Sequence, residues 1–339
     1  MRHLQHVCNL QFKGLDVTTV FEDDPEIREI QLRLADEDGE VRRIALIDLA
    51  DLAGDEHVPL IIAALNDPLP TVRAEAAHAL EAFETDDGIT GLIALLDDSD
   101  QAVRAAAAHG LHDLKLPSSA RLLLPHLQDA SNFKCIALLR ALRELRVPES
   151  FSPALIALDN TESEVRREAI AVLGYLKHAD ALPALSALAA NDADAEVRRA
   201  AIGALGFAAD EIVLPSLLLG LNDEAWQVRE EAATTIGKLR LQSALKELIA
   251  ALEDSYWQVR LRAARALGRL RDQAAVKALI VVLGHQISNL RKEAALALGE
   301  IASLDALQSL EALQDDADPD VRKSVRLAIS QIKLAHESR

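Results

Sequence analysis

A valine followed by an arginine recurs along this chain at Val41-Arg42, Val72-Arg73, Val103-Arg104, Val165-Arg166, Val197-Arg198, Val228-Arg229, Val259-Arg260 and Val321-Arg322, with Leu290-Arg291 and Phe133-Lys134 completing the series. The spacing stays between 30 and 32 residues. No other feature constrains the fold as strongly, because a unit of this length cannot bury its apolar face alone and must stack on its neighbours.

Each pair is followed by a short apolar stretch, clearest in VRRAAIGALG from Val197 to Gly206 and VRLRAARALG from Val259 to Gly268. Ahead of the pairs, leucines recur at three- and four-residue steps, as in Leu182, Leu185 and Leu188 or Leu245, Leu248 and Leu252. Both stretches carry the period of an amphipathic helix, so each unit reads as a helical hairpin. Half of the residues are hydrophobic but only 3% are aromatic, so the interior has to be built from Ala, Leu, Val and Ile at close helix spacing. Pro59, Pro153, Pro183 and Pro215 fall in the first turn of a leading helix, and Pro70 and Pro319 open a second helix, where the missing N–H costs nothing.

The expected fold class is therefore all-α, an α-α superhelix (solenoid) of about ten hairpin repeats. With layers roughly 8 to 10 Å apart, ten of them would form a curved rod with a concave face. The expected divisions are an extension at 1–24, repeats 1–3 at 25–116, an irregular repeat 4 at 117–147, repeats 5–10 at 148–335 and a polar tail at 336–339.

The Val-Arg pair with its trailing Ala-Leu-Gly resembles HEAT repeats of the phycobilisome-lyase type, over about residues 25 to 335. Relatives of that type include bilin lyases, iron-dependent hydroxylases and plain scaffolds, so the resemblance specifies fold more than function.

An acid stands a fixed step before most pairs: Asp36, Asp67, Asp98, Asp192, Asp223, Asp254 and Asp316. Asn160 and His285 replace it twice, and Asp129 falls one residue out of register with Phe133. The arginine after each valine lies in the first turn of a helix, where the macrodipole disfavours a cation. An aspartate from its own or the adjacent layer can compensate by accepting bidentate hydrogen bonds. An active site is needed once, whereas this pattern repeats in most layers, so these aspartates with Arg42, Arg73, Arg104, Arg198, Arg229, Arg260 and Arg322 read as a structural ladder.

Little else suggests chemistry. A diiron hydroxylase resembling the deoxyhypusine hydroxylases would carry several His-Glu pairs, and here His336-Glu337 stands alone in the tail. His78 and His109 share one position in consecutive repeats, with His112 a turn later; without a carboxylate or thiol in register they read as surface histidines. The segment His3-x2-His6-x-Cys8 has ligand chemistry but no matching partner set. There is no P-loop, dinucleotide fingerprint or nucleophile elbow. No catalytic residue, metal or cofactor is therefore expected. Cys8 and Cys135 are lone thiols without disulfide or zinc spacing, which suits a reducing cytoplasm. No run reaches the roughly 18 apolar residues of a membrane span, and residues 1 to 21 lack the continuous apolar stretch of a signal peptide. The net charge of −18 weighs against nucleic acid and anionic lipid for the molecule as a whole.

Function is sought where the repeats differ. In repeat 4, Phe133-Lys134-Cys135 replaces the usual start and Pro125 falls inside the leading helix, so a kink or a binding notch is expected there. Residues 238 to 292 hold eleven Lys or Arg against four acids, whereas residues 22 to 40 hold nine acids against two arginines. Within the basic block Arg262, Arg265 and Arg269 follow helical spacing, with Arg271 just beyond. Trp226 and Trp257 each precede a repeat valine by two residues, and Tyr256 adjoins the second. Trp, Tyr and Arg dominate binding hot spots, so these seven residues form the candidate partner site. The expectation is a cytoplasmic, non-enzymatic scaffold or assembly factor whose concave face in repeats 7–9 grips an acidic protein surface. The alternatives are a tetrapyrrole held by Trp257 and the arginines, as the lyase resemblance implies, or a local nucleic-acid or phosphate site.

Overall fold

The computed structural model describes residues 24–52, 54–209 and 211–337. The His3, His6 and Cys8 segment lies outside the described residues, as does the end of the polar tail. Among the described residues every regular element is helical. The chain forms two compact units divided between Ile156 and Ala157.

Unit 1 holds α1 (Pro25–Leu34), α2 (Gly39–Leu52), α3 (Val58–Ala64), α4 (Pro70–Ala79), α5 (Asp86–Leu95), α6 (Gln101–His112), α7 (Ala120–Leu123) and α8 (Asn132–Leu145), with α9 (Phe151–Ala157) at the division. Unit 2 holds α10 (Ser163–Leu176), α11 (Leu182–Asn191), α12 (Ala195–Ala204), α13 (Leu214–Leu221), α14 (Trp226–Leu239), α15 (Leu245–Ala250), α16 (Trp257–Leu270), α17 (Val276–Val282), α18 (Ser288–Ile301), α19 (Leu307–Glu311) and α20 (Pro319–Glu337). In each unit an odd-numbered helix pairs with the even-numbered helix after it. The even-numbered helices then stack in series, α2 on α4 on α6 on α8 and α10 on α12 on α14 on α16 on α18 on α20.

The repeated residues account for this stacking. Val72, Val103, Val165, Val197, Val228, Val259, Leu290 and Val321 are wholly buried in the first turn of their helices, between layers. The glycine that ends the apolar stretch sets how closely the second helices approach. A Cβ on Gly237 would lie 2.8 Å from Ala266 Cα, and one on Gly268 would lie 2.8 Å from Ala297 Cα. Neither contact is tolerable, so glycine here is required by packing.

Repeat 4 departs from the others in two ways. Pro125 does not bend a long helix: α7 stops at Leu123 and a 3-10 turn runs from Leu124 to His126, because the ring removes an N–H and crowds the preceding carbonyl. In α8, Ala137, Leu138, Ala141, Leu142 and Leu145 are buried like Ala106, Ala107, Gly110, Leu111 and Leu114 thirty-one residues earlier. That register puts Lys134 in the valine position and Cys135 in the arginine position, one residue later than the Phe133-Lys134 reading. Phe133 is 40% exposed. Lys134 lays its stem against the layer and carries its ammonium to Asp97 at 2.7 Å.

Candidate interaction site

The ladder joins successive repeats. Arg42 donates through Nε and Nη2 to Asp67 at 2.6 and 2.8 Å, and Arg73 does the same to Asp98 at 2.7 and 2.8 Å. In unit 2 the equivalent pairs are Arg166 with Asp192, Arg198 with Asp223, Arg229 with Asp254 and Arg291 with Asp316. The remaining nitrogen turns back to its own repeat, where Nη1 of Arg198 donates to the Asp192 carbonyl at 2.8 Å. Arg322, in the last repeat, turns back in the same way, donating to the Asp316 and Ala317 carbonyls at 2.7 and 3.2 Å. Asp36, in the first repeat, offers its carbonyl to Arg42. Each aspartate also accepts the backbone N–H two residues on, as Asp98 does from Asp100 at 2.8 Å. One carboxylate thus caps its turn and clamps the neighbouring layer.

The ladder is interrupted at three places, each with a different local cause. Asp129 is exposed, and Arg104 instead lays its guanidinium over the Phe133 ring at 5.7 Å. Asn160 accepts the Glu162 N–H at 2.8 Å and so keeps the capping role; the preceding repeat carries Cys135 where an arginine would need a carboxylate. His285 likewise caps, its Nδ1 accepting the Ile287 N–H at 3.0 Å, but the preceding repeat does carry an arginine. The Nε of Arg260 is buried without a hydrogen-bond partner among the described residues. Desolvation, with the nearby Arg260 and Arg291 guanidinium groups, holds the His285 imidazole below the usual histidine range. Arg260 shares the ladder motif, and its geometry separates it from the other rungs.

The aromatic residues lie on the same edge, at the turns that open α14 and α16. Tyr256 stacks on Trp226 with ring centroids 5.5 Å apart and planes 14° apart, and the Arg229 guanidinium covers Tyr256 at 5.6 Å. Tyr256 is 45% exposed and Trp257 36%. Trp257 lies one turn before Arg260, on the same side of α16.

The arginines singled out by sequence lie elsewhere. At 100° per residue, Arg269 is about 180° round α16 from Arg260, on the open face of the second helices. Arg262, Arg265 and Arg269 share that face and line a recess of about 50 Å³ against α14. Two of the three are engaged by acids of adjacent layers. Arg262 donates to Glu230 at 2.9 Å, and Arg265 binds Glu293 through two bonds of 2.7 and 2.8 Å. Glu293 is buried, and it came from outside the basic block counted in the sequence. Arg269 is exposed, and Arg271 caps the helix with φ of 57°. The seven residues therefore divide between a turn edge and an open face, with Arg271 at the far end of α16.

A stack of helical hairpins clamped layer to layer defines an α-solenoid, and residues 27–111, 151–237, 187–255, 214–280 and 245–330 match the HEAT repeats family. These segments span more than half of the chain, which belongs to the HEAT-repeat family. No curated protein sequence matches it. Among solved structures it is similar to Kap95p, which binds RanGDP, with a TM-score of 0.63 at 14% identity over 91% of this chain and 51% of that one. It is also similar to Kap121p bound to Nup53p, with a TM-score of 0.55 at 16% identity over 91% of this chain and 41% of that one. An engineered protein matches over 91% of this chain and 99% of its own, at 22% identity and a TM-score of 0.51. At these identities the likeness is one of fold. None of the described helices is long and apolar enough to cross a membrane.

Proposed function

We propose that this chain is a non-enzymatic binding scaffold that takes an acidic partner at the turn edge of repeats 7–9. The observation that carries this reading is Arg260. In six other layers the same guanidinium position is filled by an aspartate in bidentate geometry; opposite Arg260 stands His285, which is not an acid. A partner's carboxylate can pair with the outer end of this partly buried guanidinium, which no aspartate among the described residues engages. Trp257 and Tyr256, half-exposed beside it, supply the apolar surface that such an anchor needs. The turn edge has more support than the open face, where Arg262 and Arg265 already hold Glu230 and Glu293. The same pairs weigh against a tetrapyrrole or a phosphate chain, whose anionic groups would compete with built-in carboxylates. Kap95p and Kap121p, which share the fold, are binders of other proteins.

The test is an array of peptides rich in Asp and Glu, each printed beside its Asn and Gln counterpart and probed with the purified chain. Retention on acidic peptides that is lost on their amide twins, and lost again with Arg260→Ser, is the expected result. Equal retention on both sets, or by the Arg260→Ser chain, contradicts the assignment.

A further inference from the structure

The helix α4 and the 3-10 turn that follows it place His78 and Glu81 on one side, three residues apart. The stacked helix α6 presents His109, and Asp113 follows four residues later. These spacings put both donors of each pair on one helix face. Glu81 Oε1 lies 2.8 Å from Nδ1 of His78 and 3.2 Å from Nδ1 of His109. The donor atoms of Glu81, His109 and Asp113 all lie within 4.8 Å of one another. No carboxylate stands in sequence register with this histidine pair; the fold brings two, Glu81 from the neighbouring layer and Asp113 one turn beyond His109.

We infer that His78, Glu81, His109 and Asp113 form a binding site for a divalent transition-metal ion of the zinc type. Bonds of about 2.0 to 2.2 Å to nitrogen and oxygen set donor atoms roughly 3.3 Å apart around a tetrahedral ion. Glu81, His109 and Asp113 can close toward that value by small side-chain adjustments, and His78, which touches the group through Glu81, becomes the fourth ligand by turning its imidazole inward. Two imidazoles with two carboxylates select zinc, nickel or copper over magnesium and calcium, which take oxygen donors. His78 and Glu81 come from one repeat and His109 and Asp113 from the next, so a bound ion is a staple between two layers of unit 1. The site is open to solvent, with the His78 and His109 side chains 53% and 61% exposed, and an ion can reach it without unfolding.

The test uses the full chain, free of histidine tags and stripped with EDTA, titrated calorimetrically with zinc sulfate. One equivalent should bind with micromolar affinity, and zinc should raise the melting temperature where magnesium does not. His109→Ala should weaken binding by at least about tenfold and abolish the thermal shift. These positions are exposed, so the variant should fold, which its zinc-free melting curve verifies. A control with His3→Ala and His6→Ala should bind like the parent chain. No binding tighter than millimolar, unchanged binding by His109→Ala, or loss of binding in the control would each overturn the assignment.

Discussion

Arg198 in α12 crosses into the next repeat and grips Asp223 through two hydrogen bonds of 2.7 and 2.9 Å, while its third nitrogen holds the Asp192 carbonyl of its own turn at 2.8 Å. Its side chain is only 8% exposed and that of Asp223 10%, so water competes little for either charge. Truncating one partner strands the other in a poorly solvated turn. Arg198→Ala and Asp223→Ala should each lower the stability of unit 2 by about 2 to 3 kcal/mol. In a double-mutant cycle their coupling should exceed about 1 kcal/mol; a coupling near zero, read by urea unfolding, would make the contact incidental.

Five second helices end on a non-glycine residue in the left-handed region, at Arg146, Lys177, Arg240, Arg271 and Ala302, with φ between 54° and 57°. Glycine takes this conformation without the crowding that a Cβ brings. Ala302→Gly should therefore stabilise unit 2 by about 0.5 to 1 kcal/mol, seen as a higher melting temperature. A lower one would show that the methyl group packs usefully at that turn.

Acid should loosen the stack in two stages. Hydrogen bonds from Arg73 and Arg291 hold the carboxyls of Asp98 and Asp316 below the usual carboxylate range. Their contribution is present at neutral pH and is lost as pH falls below about 4. His285 acts earlier, since its folded value is depressed. Below about pH 6.5 the unfolded chain takes up a proton that the folded chain declines, and stability falls. His285→Asp should remove that early loss and give Arg260 a rung, adding about 1 kcal/mol at pH 7. Urea unfolding at a series of pH values between 7 and 5 reads both effects; an unchanged slope would mean that the imidazole is not held against the arginines.

On the open face, Arg265 and Arg269 should differ sharply. Arg265→Ala leaves Glu293 buried without its bidentate partner, which should cost about 1 to 2 kcal/mol after allowance for the exposure of the guanidinium. Arg269→Ala should change stability by less than about 0.5 kcal/mol. Equal losses would show that Arg269 has an acid partner too.

The solenoid was legible because its signal is repeated. A valine every thirty-one residues or so, with small residues a turn or two later, has few uses other than stacking. Asp and Arg at fixed steps could be paired by their chemistry, although whether each arginine reaches its own aspartate or the next one depends on the offset between layers, which only the fold supplies. Repeat 4 was misread by one residue because Phe133 looks like an apolar substitute for valine, whereas the position is taken by the stem of Lys134. Arg260 and Arg229 are indistinguishable by motif; what separates them is the residue at the other end, His285 or Asp254, twenty-five positions away. Glu81 between His78 and His109 was missed for the same reason, since contacts across layers leave no mark at short range in a sequence.

The most direct test of partner binding at the turn edge is the affinity of the chain and its His285→Asp variant for one acidic peptide selected from the array, measured by calorimetry, with Lys246→Glu as a control. Lys246 is exposed on α15, the first helix of the same repeat. A carboxylate at position 285 occupies Arg260 from within, so binding should weaken by at least about tenfold, or roughly 1.4 kcal/mol, while the melting temperature rises. Lys246→Glu should bind within about twofold of the parent, near 0.4 kcal/mol. If His285→Asp binds the peptide as tightly as the parent chain does, Arg260 is not where the partner's carboxylate sits.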